Sequence, residues 1–291
     1  MKCLFSKNGD INPIDEHLNK VPTILYKYRS FDPCGYSLKL ASKGEVFFAS
    51  AKDFNDPFDN YFIPKSELEN LDGDSLDYIL RKKAKQFYKD ASDNFIEKMV
   101  EKGKRRLKEF QINKRPIMKQ LLNKQYSSFG ICSLSANPKS LPMWAYYGDS
   151  HKGLCIGIKT STIAQHQRYL IKSNILLMLH KVFYTKKIPI VHFGINTNFD
   201  NDKEILKTLY TKSINWKHEE EYRLIFEKYF SKSYLFGTDA IAEVIIGNRA
   251  NKKNIISLLK ELKESNSNAV VKREICSESE YKIDFKIMKI D

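Results

Sequence analysis

The chain has 291 residues, of which 42% are apolar and 12% aromatic, enough for a folded core, which excludes an intrinsically disordered protein. Its formal net charge of +14 favours a polyanionic partner, such as nucleic acid or the phosphates of a nucleotide. The five cysteines include no Cys-x-x-Cys pair and the histidines lack ligand-like spacing, so we predict neither a disulfide framework nor a metal site. No apolar run suits a membrane helix or a signal peptide, so we expect a cytoplasmic protein without a membrane partner.

The first part of the chain predicts an arm followed by a folded domain. Residues 1–22 are polar and interrupted by prolines, and we interpret them as an N-terminal arm. A single domain over 23–291 follows. Its first elements are a strand, a short helix and a second strand, at residues 24–29, 36–43 and 45–50. The turn-forming cluster Phe54-Asn55-Asp56-Pro57-Phe58-Asp59 comes next.

A basic helical insertion is predicted over residues 66–125, where apolar residues recur at helical spacings. Between Arg81 and Lys124 we count 15 Lys or Arg against 5 Asp or Glu, so most of the excess charge lies here. A solvated helical face and a polyanion-binding surface both explain such a run. Because no known nucleic-acid-binding motif is present, binding of nucleic acid through residues 81–124 would be electrostatic only.

Beyond the insertion, strand and helix patterns are mixed. The predicted strands lie at residues 129–135, 154–158, 181–184, 222–226, 242–246, 269–275 and 281–288. The predicted helices lie at residues 141–148, 160–170, 202–213 and 251–262. Strands with helices inserted between them indicate an α+β domain built on a curved or split mixed sheet.

The run Trp216-Lys217-His218-Glu219-Glu220-Glu221-Tyr222-Arg223 carries the densest chemistry. Adjacent carboxylates repel one another, which can raise the pKa of those that are partly buried. At the mouth of a strand, Glu219 and Glu221 would share one face with Arg223 while Glu220 faces away. A Glu-x-Glu pair in a pocket can orient a hydroxyl with one carboxylate and activate an incoming group with the other. The alternative is a charged loop that caps a strand through salt bridges.

Two other positions suggest ligand contacts. Arg29 ends the first strand, where a guanidinium can hold a phosphate or carboxylate, or serve as a salt-bridge partner. Ser133 and Ser135 share one face of a strand, so their hydroxyls can bond a carboxylate or a ribose. No Gly-x-Ser-x-Gly elbow, Walker loop or Gly-x-Gly-x-x-Gly is present, which argues against hydrolase, kinase-like and Rossmann folds.

The order of these residues resembles the Arg–Ser–Glu arrangement of the ADP-ribosyltransferases. The resemblance implies an ADP-ribosyltransferase-like fold in which Arg29 holds the charged part of NAD and the serine strand braces the site. Glu221 would bond the nicotinamide ribose and stabilise the oxocarbenium ion that forms as nicotinamide leaves. Glu219 would activate or orient the acceptor.

Longer motifs resemble a bacterial family, domain of unknown function 2971, from about residue 24 to 250. They are Tyr26-Lys27-Tyr28-Arg29, Phe54-Asn55-Asp56-Pro57-Phe58, Cys132-Ser133-Leu134-Ser135, Met143-Trp144-Ala145-Tyr146-Tyr147, His151-Lys152-Gly153, Val182-Phe183-Tyr184, Lys212 with Trp216, Glu219-x-Glu221-x-Arg223 and Ile246-Gly247. The resemblance implies that the motif residues converge on one pocket. With Glu219 and Glu221 as the catalytic pair, the predicted binding residues are Arg29, Asn55, Asp56, Phe58, Ser133, Ser135, Trp144, His151, Lys212, Trp216 and Arg223.

We therefore expect an ADP-ribosyltransferase-like enzyme that cleaves NAD at the nicotinamide–ribose bond and modifies a macromolecule, as toxins and antiphage effectors do. NAD would be its substrate, and no metal is expected. A non-catalytic module that senses a nucleotide or nucleic acid through the same pocket is the alternative. A nuclease ranks lower because no cluster of acidic metal ligands is evident.

Overall fold

The computed structural model describes residues 21–66, 71–112, 129–193 and 207–288. Within these ranges the fold is α+β, and ten of the strands form one open, largely antiparallel sheet. The predicted arm lies outside the described residues except for its last two. The predicted helix at 202–213 is described only from residue 207 onward.

The strands are numbered in chain order. They are β1 (Ile24–Arg29), β2 (Glu45–Ser50), β3 (Ile63–Ser66), β4 (Phe129–Ser135), β5 (Leu154–Lys159), β6 (Leu177–Lys181), β7 (Phe183–Thr185), β8 (Ile190–Phe193), β9 (Thr211–Ser213), β10 (Glu221–Glu227), β11 (Lys232–Leu235), β12 (Ile241–Ile246), β13 (Val270–Cys276) and β14 (Ile283–Ile287). The α-helices are α1 (Tyr36–Lys43), α2 (Gly73–Phe87), α3 (Asp93–Ile112), α4 (Leu141–Tyr146), α5 (Thr160–Lys172) and α6 (Lys252–Glu264). Short 3₁₀ turns lie at Ala51–Asp53, Ile214–Glu219 and Thr238–Ala240.

The first elements have the predicted bounds, because their signals are local. Gly44 ends α1 in the left-handed conformation (φ 69°), and its N–H donates to the carbonyl of Leu40. Two later predictions are wrong. The predicted strand 181–184 spans the break between β6 and β7, and residues 211–213, predicted to be helical, form β9. This three-residue strand exists because it pairs in parallel with β7, a tertiary contact that overrides the local pattern.

The main sheet branches at β4. Its strand order is β11-β2-β4-β1-β5-β12-β13-β14, while β10 pairs with β4 and β6 outside this path. β12 and β13 run parallel, and the other pairs in this sheet are antiparallel. β10 follows β4 along its whole length, from Glu227 opposite Phe129 to Glu221 opposite Ser135.

The other edge of β4 is divided between two strands that diverge. β1 pairs with it only at Ser135, and β2 pairs only at Gly130 and Ile131. The middle of this edge has no strand partner among the described strands, so its backbone groups need other partners. Lys27 supplies one, because its Nζ donates to the carbonyl of Ser133 at 2.8 Å. The sheet is therefore split beside the serine strand.

Helices cover both faces of the central strands. Leu154, Ile156 and Val244 point to the face on which α1, α5 and α6 pack. Cys155 and Ile245 point to the opposite face, where Trp144 of α4 packs with them. Because both faces are buried, β5 and β12 are almost continuously apolar.

The helical hairpin of α2 and α3 lies inside the predicted insertion 66–125. The first helix begins at Gly73 and not at residue 66, because Ser66 is the last residue of strand β3. Asp72 caps α2 by accepting a hydrogen bond from the N–H of Ser75 (2.7 Å). The hairpin has a small core of its own, formed by Ala84, Ile96 and Val100. Across the described ranges, no helix combines the length and apolarity that a bilayer span requires.

Candidate functional site

The two predicted catalytic glutamates are brought together by a turn. The 3₁₀ turn ends at Glu219, and Glu220 then adopts a left-handed backbone (φ 46°) before β10 begins at Glu221. Such a conformation costs a non-glycine residue roughly 1–2 kcal/mol. The Ala136 N–H donates to the carbonyl of Glu220 at 3.0 Å, which stabilises the turn. As a result, Glu219 and Glu221 are buried while Glu220 is exposed.

Ser135 fixes the position of this turn. Its hydroxyl donates to the carbonyl of Glu219 at 2.7 Å and accepts from the N–H of Asn137 at 3.1 Å. Asn137 in turn donates its side-chain amide to the Glu220 carboxylate at 2.9 Å. The end of β4 and the start of β10 are thus bound to each other through side chains as well as through the strand ladder.

A buried network of charged groups surrounds the glutamates. Arg223, which is fully buried, donates Nε to Glu221 at 2.8 Å and Nη2 to Asp59 at 2.7 Å. Its Nη1 is bound by the side chain of Asn60 and by a backbone carbonyl. Lys212 donates Nζ to Glu219 at 2.5 Å and to Glu221 at 3.1 Å. Three carboxylates therefore face two cations, and each of these five side chains is at most 6% exposed.

The network shifts the carboxyl pKa values in opposite directions. Burial would raise the pKa of Glu221, but Arg223 and Lys212 outweigh burial and hold it well below its usual range. Burial raises the pKa of Glu219, because Lys212 opposes it only in part and the charge of Glu221 reinforces it. Burial likewise raises the pKa of Asp59 despite its contact with Arg223. Glu221 is therefore the ionised member, and Glu219 binds a proton more readily.

These glutamates lie in the wall of a cavity of about 330 Å³. The volume is within the range of small-molecule sites, about 300–1,000 Å³. The cavity is lined by Tyr26, Lys27, Tyr28, Asp53, Phe54, Asn55, Asp59, Ser133, Leu134, Ser135, Met143, Tyr147, Lys212, Glu219 and Glu221. Tyr147 reaches in from α4 and donates its hydroxyl to Glu219 at 2.8 Å, and burial raises the pKa of this tyrosine to about 12.

A second pocket of about 100 Å³ lies in the split between β1 and β2. Lys27, Phe54 and Ser133 line both pockets, so the two share a wall. Arg29 lies in the second pocket, not in the larger cavity. The first strand therefore presents two cations, Lys27 and Arg29, beside the site of the carboxylates.

The predicted residues differ in where they lie relative to the larger cavity. Those in the wall of the larger cavity are Asn55, Ser133, Ser135, Lys212, Glu219 and Glu221. Arg29 lies in the adjacent second pocket. Arg223 and Trp216 line neither pocket, but each contacts a residue that lines the larger cavity. Arg223 holds Glu221, and Trp216 stacks its ring 5.2 Å from the Lys212 ammonium.

Trp144 and His151 lie away from both pockets. Trp144 is fully buried, donates its indole N–H to the Pro138 carbonyl at 2.9 Å and packs edge-on against Tyr28. The His151 ring stacks on Trp144 and places Nδ1 2.6 Å from a buried carboxylate oxygen of Glu274. These contacts tie α4 to β13 and give both residues a role in packing.

Asp56 and Phe58 form the turn that precedes Asp59. The Asp56 carboxylate accepts from the N–H of Phe58 at 2.9 Å, which is the geometry of an Asx turn. The Phe58 ring is 64% exposed and lines neither pocket. The turn places Asp59 in the network, and the side chains of Asp56 and Phe58 line neither pocket.

The sequence did not single out Asp59, Tyr147 or Lys27 as site residues. Asp59 stands 164 residues before Arg223, and Tyr147 stands 72 residues before Glu219, so no local spacing connects them. The resemblance motifs contained Lys27 and Tyr147 without giving them a role. Across the described part of the chain, no group of three or more His, Cys, Asp or Glu side chains is placed to hold a metal ion.

Residues 143–224 match the family described as Protein of unknown function (DUF2971). This confirms the family predicted from the motifs, over a segment that runs from α4 into β10 and includes Lys212, Glu219, Glu221 and Arg223. Neither the curated proteins nor the solved structures gave a match.

Proposed function

We propose that this member of the DUF2971 family binds NAD in the cavity between β1, β4 and β10 and cleaves its nicotinamide–ribose bond. The ADP-ribosyl group would pass to a macromolecule or to water, as in an ADP-ribosyltransferase. One observation carries the proposal: two carboxylates face one cavity with pKa values shifted in opposite directions. Enzymes that cleave glycosidic bonds divide two roles between carboxylates in this way.

Each carboxylate suits one of the two roles. The bond from ribose C1′ to the pyridinium nitrogen breaks, and its electron pair leaves with nicotinamide, which becomes neutral. The positive charge moves to the ribose as an oxocarbenium ion, which the ionised Glu221 stabilises. The acceptor then adds to C1′, and its proton passes to Glu219, whose raised pKa makes it the stronger base.

The rest of the dinucleotide would enter the second pocket. Lys27 and Arg29 stand beside the carboxylate site, where their charges suit the pyrophosphate. Tyr26, Phe54 and Tyr147 add aromatic walls on which a planar ring can stack. The larger cavity would thus present anionic groups to the reacting end of NAD, and the second pocket would present cationic groups to its phosphates.

The test is release of nicotinamide from labelled NAD, measured with and without RNA, DNA or cell lysate. Glu221→Gln removes the stabilising charge, and we expect release to fall by a factor on the order of 10²–10³. Glu219→Gln should slow transfer to an acceptor. Glu220→Gln is the matched control, because this carboxylate faces outward between the other two, and it should leave release unchanged.

Thermal melting of each variant separates lost chemistry from lost folding. Unchanged nicotinamide release in a folded Glu221→Gln protein would refute the proposal. Equal losses in all three glutamine variants would also refute it, since the cavity distinguishes Glu220 from its neighbours. If the wild-type enzyme is a toxin or antiphage effector, its expression should arrest growth, and Glu221→Gln should relieve the arrest.

A second function has an observation in its favour. Every oxygen of Glu219 and Glu221 already accepts a hydrogen bond from Tyr147, Lys212 or Arg223. Such saturation suits a rigid wall that senses a nucleotide without turning it over. The same experiment separates the two functions, because a sensor would bind NAD or polynucleotide and release no nicotinamide.

A further inference from the structure

The hairpin of α2 and α3 carries a charge pattern that the cavity does not use. On α3, acidic residues recur every four positions at Asp93, Glu97 and Glu101, so they share one face of the helix. Cations occupy the opposite face. We name this face, together with the aromatic residue at its start, the α3 basic stripe: Phe95, Lys98, Lys102, Arg105 and Arg106.

The acidic face is neutralised within the hairpin. Arg81 pairs with Glu97, Lys85 pairs with Asp93, and Lys104 pairs with Glu101 as well as with Asp77 of α2. The pairs Arg81–Glu97, Lys85–Asp93 and Lys104–Asp77 link the two helices. Within α3, Glu101 lies one turn from Lys98 and Arg105, but it is paired with Lys104. Glu109 lies one turn beyond Arg105 and Arg106, so the four cations of the stripe outnumber the acidic residues beside them.

The four cations of the stripe, Lys98, Lys102, Arg105 and Arg106, are exposed. Within the described ranges, none of the four has an ion-pair partner. From Phe95 to Arg106 the helix rises about 16 Å, at roughly 1.5 Å per residue. A surface of this length with four exposed cations, on a chain with a formal charge of +14, attracts a polyanion.

Exposed aromatic rings narrow the class of polyanion. Phe95 is 39% exposed and Tyr88 is 46% exposed, and their rings meet edge to face at 5.1 Å beside the start of the stripe. Duplex nucleic acid hides its base faces, whereas a single strand can stack its bases on such rings while its phosphates follow the cations. We propose that the α3 basic stripe binds single-stranded nucleic acid.

This binding does not require turnover in the cavity, so it can be tested separately from the proposed reaction. The probes are fluorescent 12-residue oligo-dT and oligo-U and a duplex of the same length, followed by anisotropy at several salt concentrations. We expect both single strands to bind more tightly than the duplex. The logarithm of the association constant should fall with the logarithm of salt concentration with a slope of about −3, as expected for four phosphate contacts.

Two variants test the two parts of the stripe. Lys98→Glu/Lys102→Glu should weaken single-strand binding by about tenfold or more. Lys252→Glu/Lys253→Glu, at the exposed start of α6, changes the net charge equally and should change binding less than about twofold. Phe95→Leu keeps an apolar side chain without an aromatic face, and it should weaken single-strand binding about fivefold without affecting the duplex.

Each alternative outcome overturns the inference. Equal losses in the two double variants would mean that net charge alone drives binding. Equal affinity for duplex and single strand, with no effect of Phe95→Leu, would mean a general polyanion surface. Binding to anionic phosphatidylserine vesicles but to neither oligonucleotide would assign the stripe to a membrane surface instead.

Discussion

Replacing Arg223 by methionine tests the electrostatic account of the site. The guanidinium is fully buried and binds Glu221 and Asp59 directly, so its removal leaves these carboxylates with Lys212 as their remaining cation. Breaking a buried ion pair from one side destabilises a protein by roughly 3–5 kcal/mol. This is a large part of a typical total of about 5–15 kcal/mol. For a chain of this length we expect the melting temperature to fall by roughly 5–10 °C.

The loss should depend on pH with a definite sign. In the wild type, the pKa of Glu221 is lower in the folded state than in the unfolded state. Its ion pairs therefore stabilise the fold at pH values above the unfolded-state pKa. This stabilisation is lost as the pH falls through the folded-state pKa. Without Arg223, burial dominates and raises the pKa of Glu221 above its unfolded value. A carboxyl group whose pKa is raised in the folded state destabilises the fold at high pH, and this destabilisation decreases as the pH falls. The deficit of Arg223→Met should therefore be larger at pH 7.5 than at pH 5.

The assay is urea unfolding at both pH values, since urea adds no ionic screening. Glu221→Gln/Arg223→Met removes one buried negative charge and should recover part of the loss at pH 7.5. Arg249→Met is the matched control, because this arginine is exposed and should cost less than about 0.5 kcal/mol. A deficit below about 1 kcal/mol, or a double variant no more stable than Arg223→Met, would refute the reasoning.

Two substitutions test neighbouring parts of the site. Tyr147→Phe removes a hydrogen bond that lowers the pKa of Glu219, so this pKa should rise, and the acidic limb of the pH–rate profile for acceptor transfer should move to higher pH. An unmoved limb would mean that Glu219 is not the base. Trp144→Phe removes a buried indole hydrogen bond and should cost about 1–3 kcal/mol in urea unfolding, while kcat/KM for nicotinamide release stays unchanged. A fall in kcat/KM of the folded protein would show that Trp144 contacts the substrate.

The sequence predicted the elements whose signals are short-range. β1, α1 and β2 have the predicted bounds, since alternation and a glycine stop fix such elements within a few residues. β9 could not be found this way, because it exists through its pairing with β7 and the burial of Lys212. The division of β4 between β1 and β2 is likewise set by long-range pairing.

The Glu-x-Glu pattern placed two carboxylates on one side, and both do line the cavity. The two side chains do not share this side through strand alternation. Glu219 belongs to the preceding turn, and the left-handed backbone of Glu220 changes the direction of the chain between them. Sequence reasoning also expected repulsion to raise the pKa of buried carboxylates in this run. The pKa of Glu219 is raised mainly by burial, and repulsion from Glu221 adds to this. The pKa of Glu221 is lowered instead, because Arg223 and Lys212 outweigh burial.

The resemblance motifs mixed residues of two kinds. Glu221 and Lys212 line the cavity, whereas Trp144 and His151 join α4 to Glu274 of β13, away from both pockets. A sequence motif gives only residue types and their order along the chain. A residue can belong to a motif because it makes a buried structural contact or because it contacts a ligand. Access to the cavity, which depends on the fold, is what separates the two kinds.

The charge balance of the cavity argues for a cationic reacting group. With all groups ionised, the three carboxylates and two cations of the buried network leave one negative charge beside the cavity. A proton on Glu219 or Asp59, whose pKa values burial raises, can neutralise it, and so can a cation in the cavity. The nicotinamide ring of NAD carries a positive charge, which passes to the ribose as the bond breaks. The negative charge of the network would therefore face a positive charge before and after the bond breaks. The phosphates, with the opposite charge, would meet Lys27 and Arg29 instead.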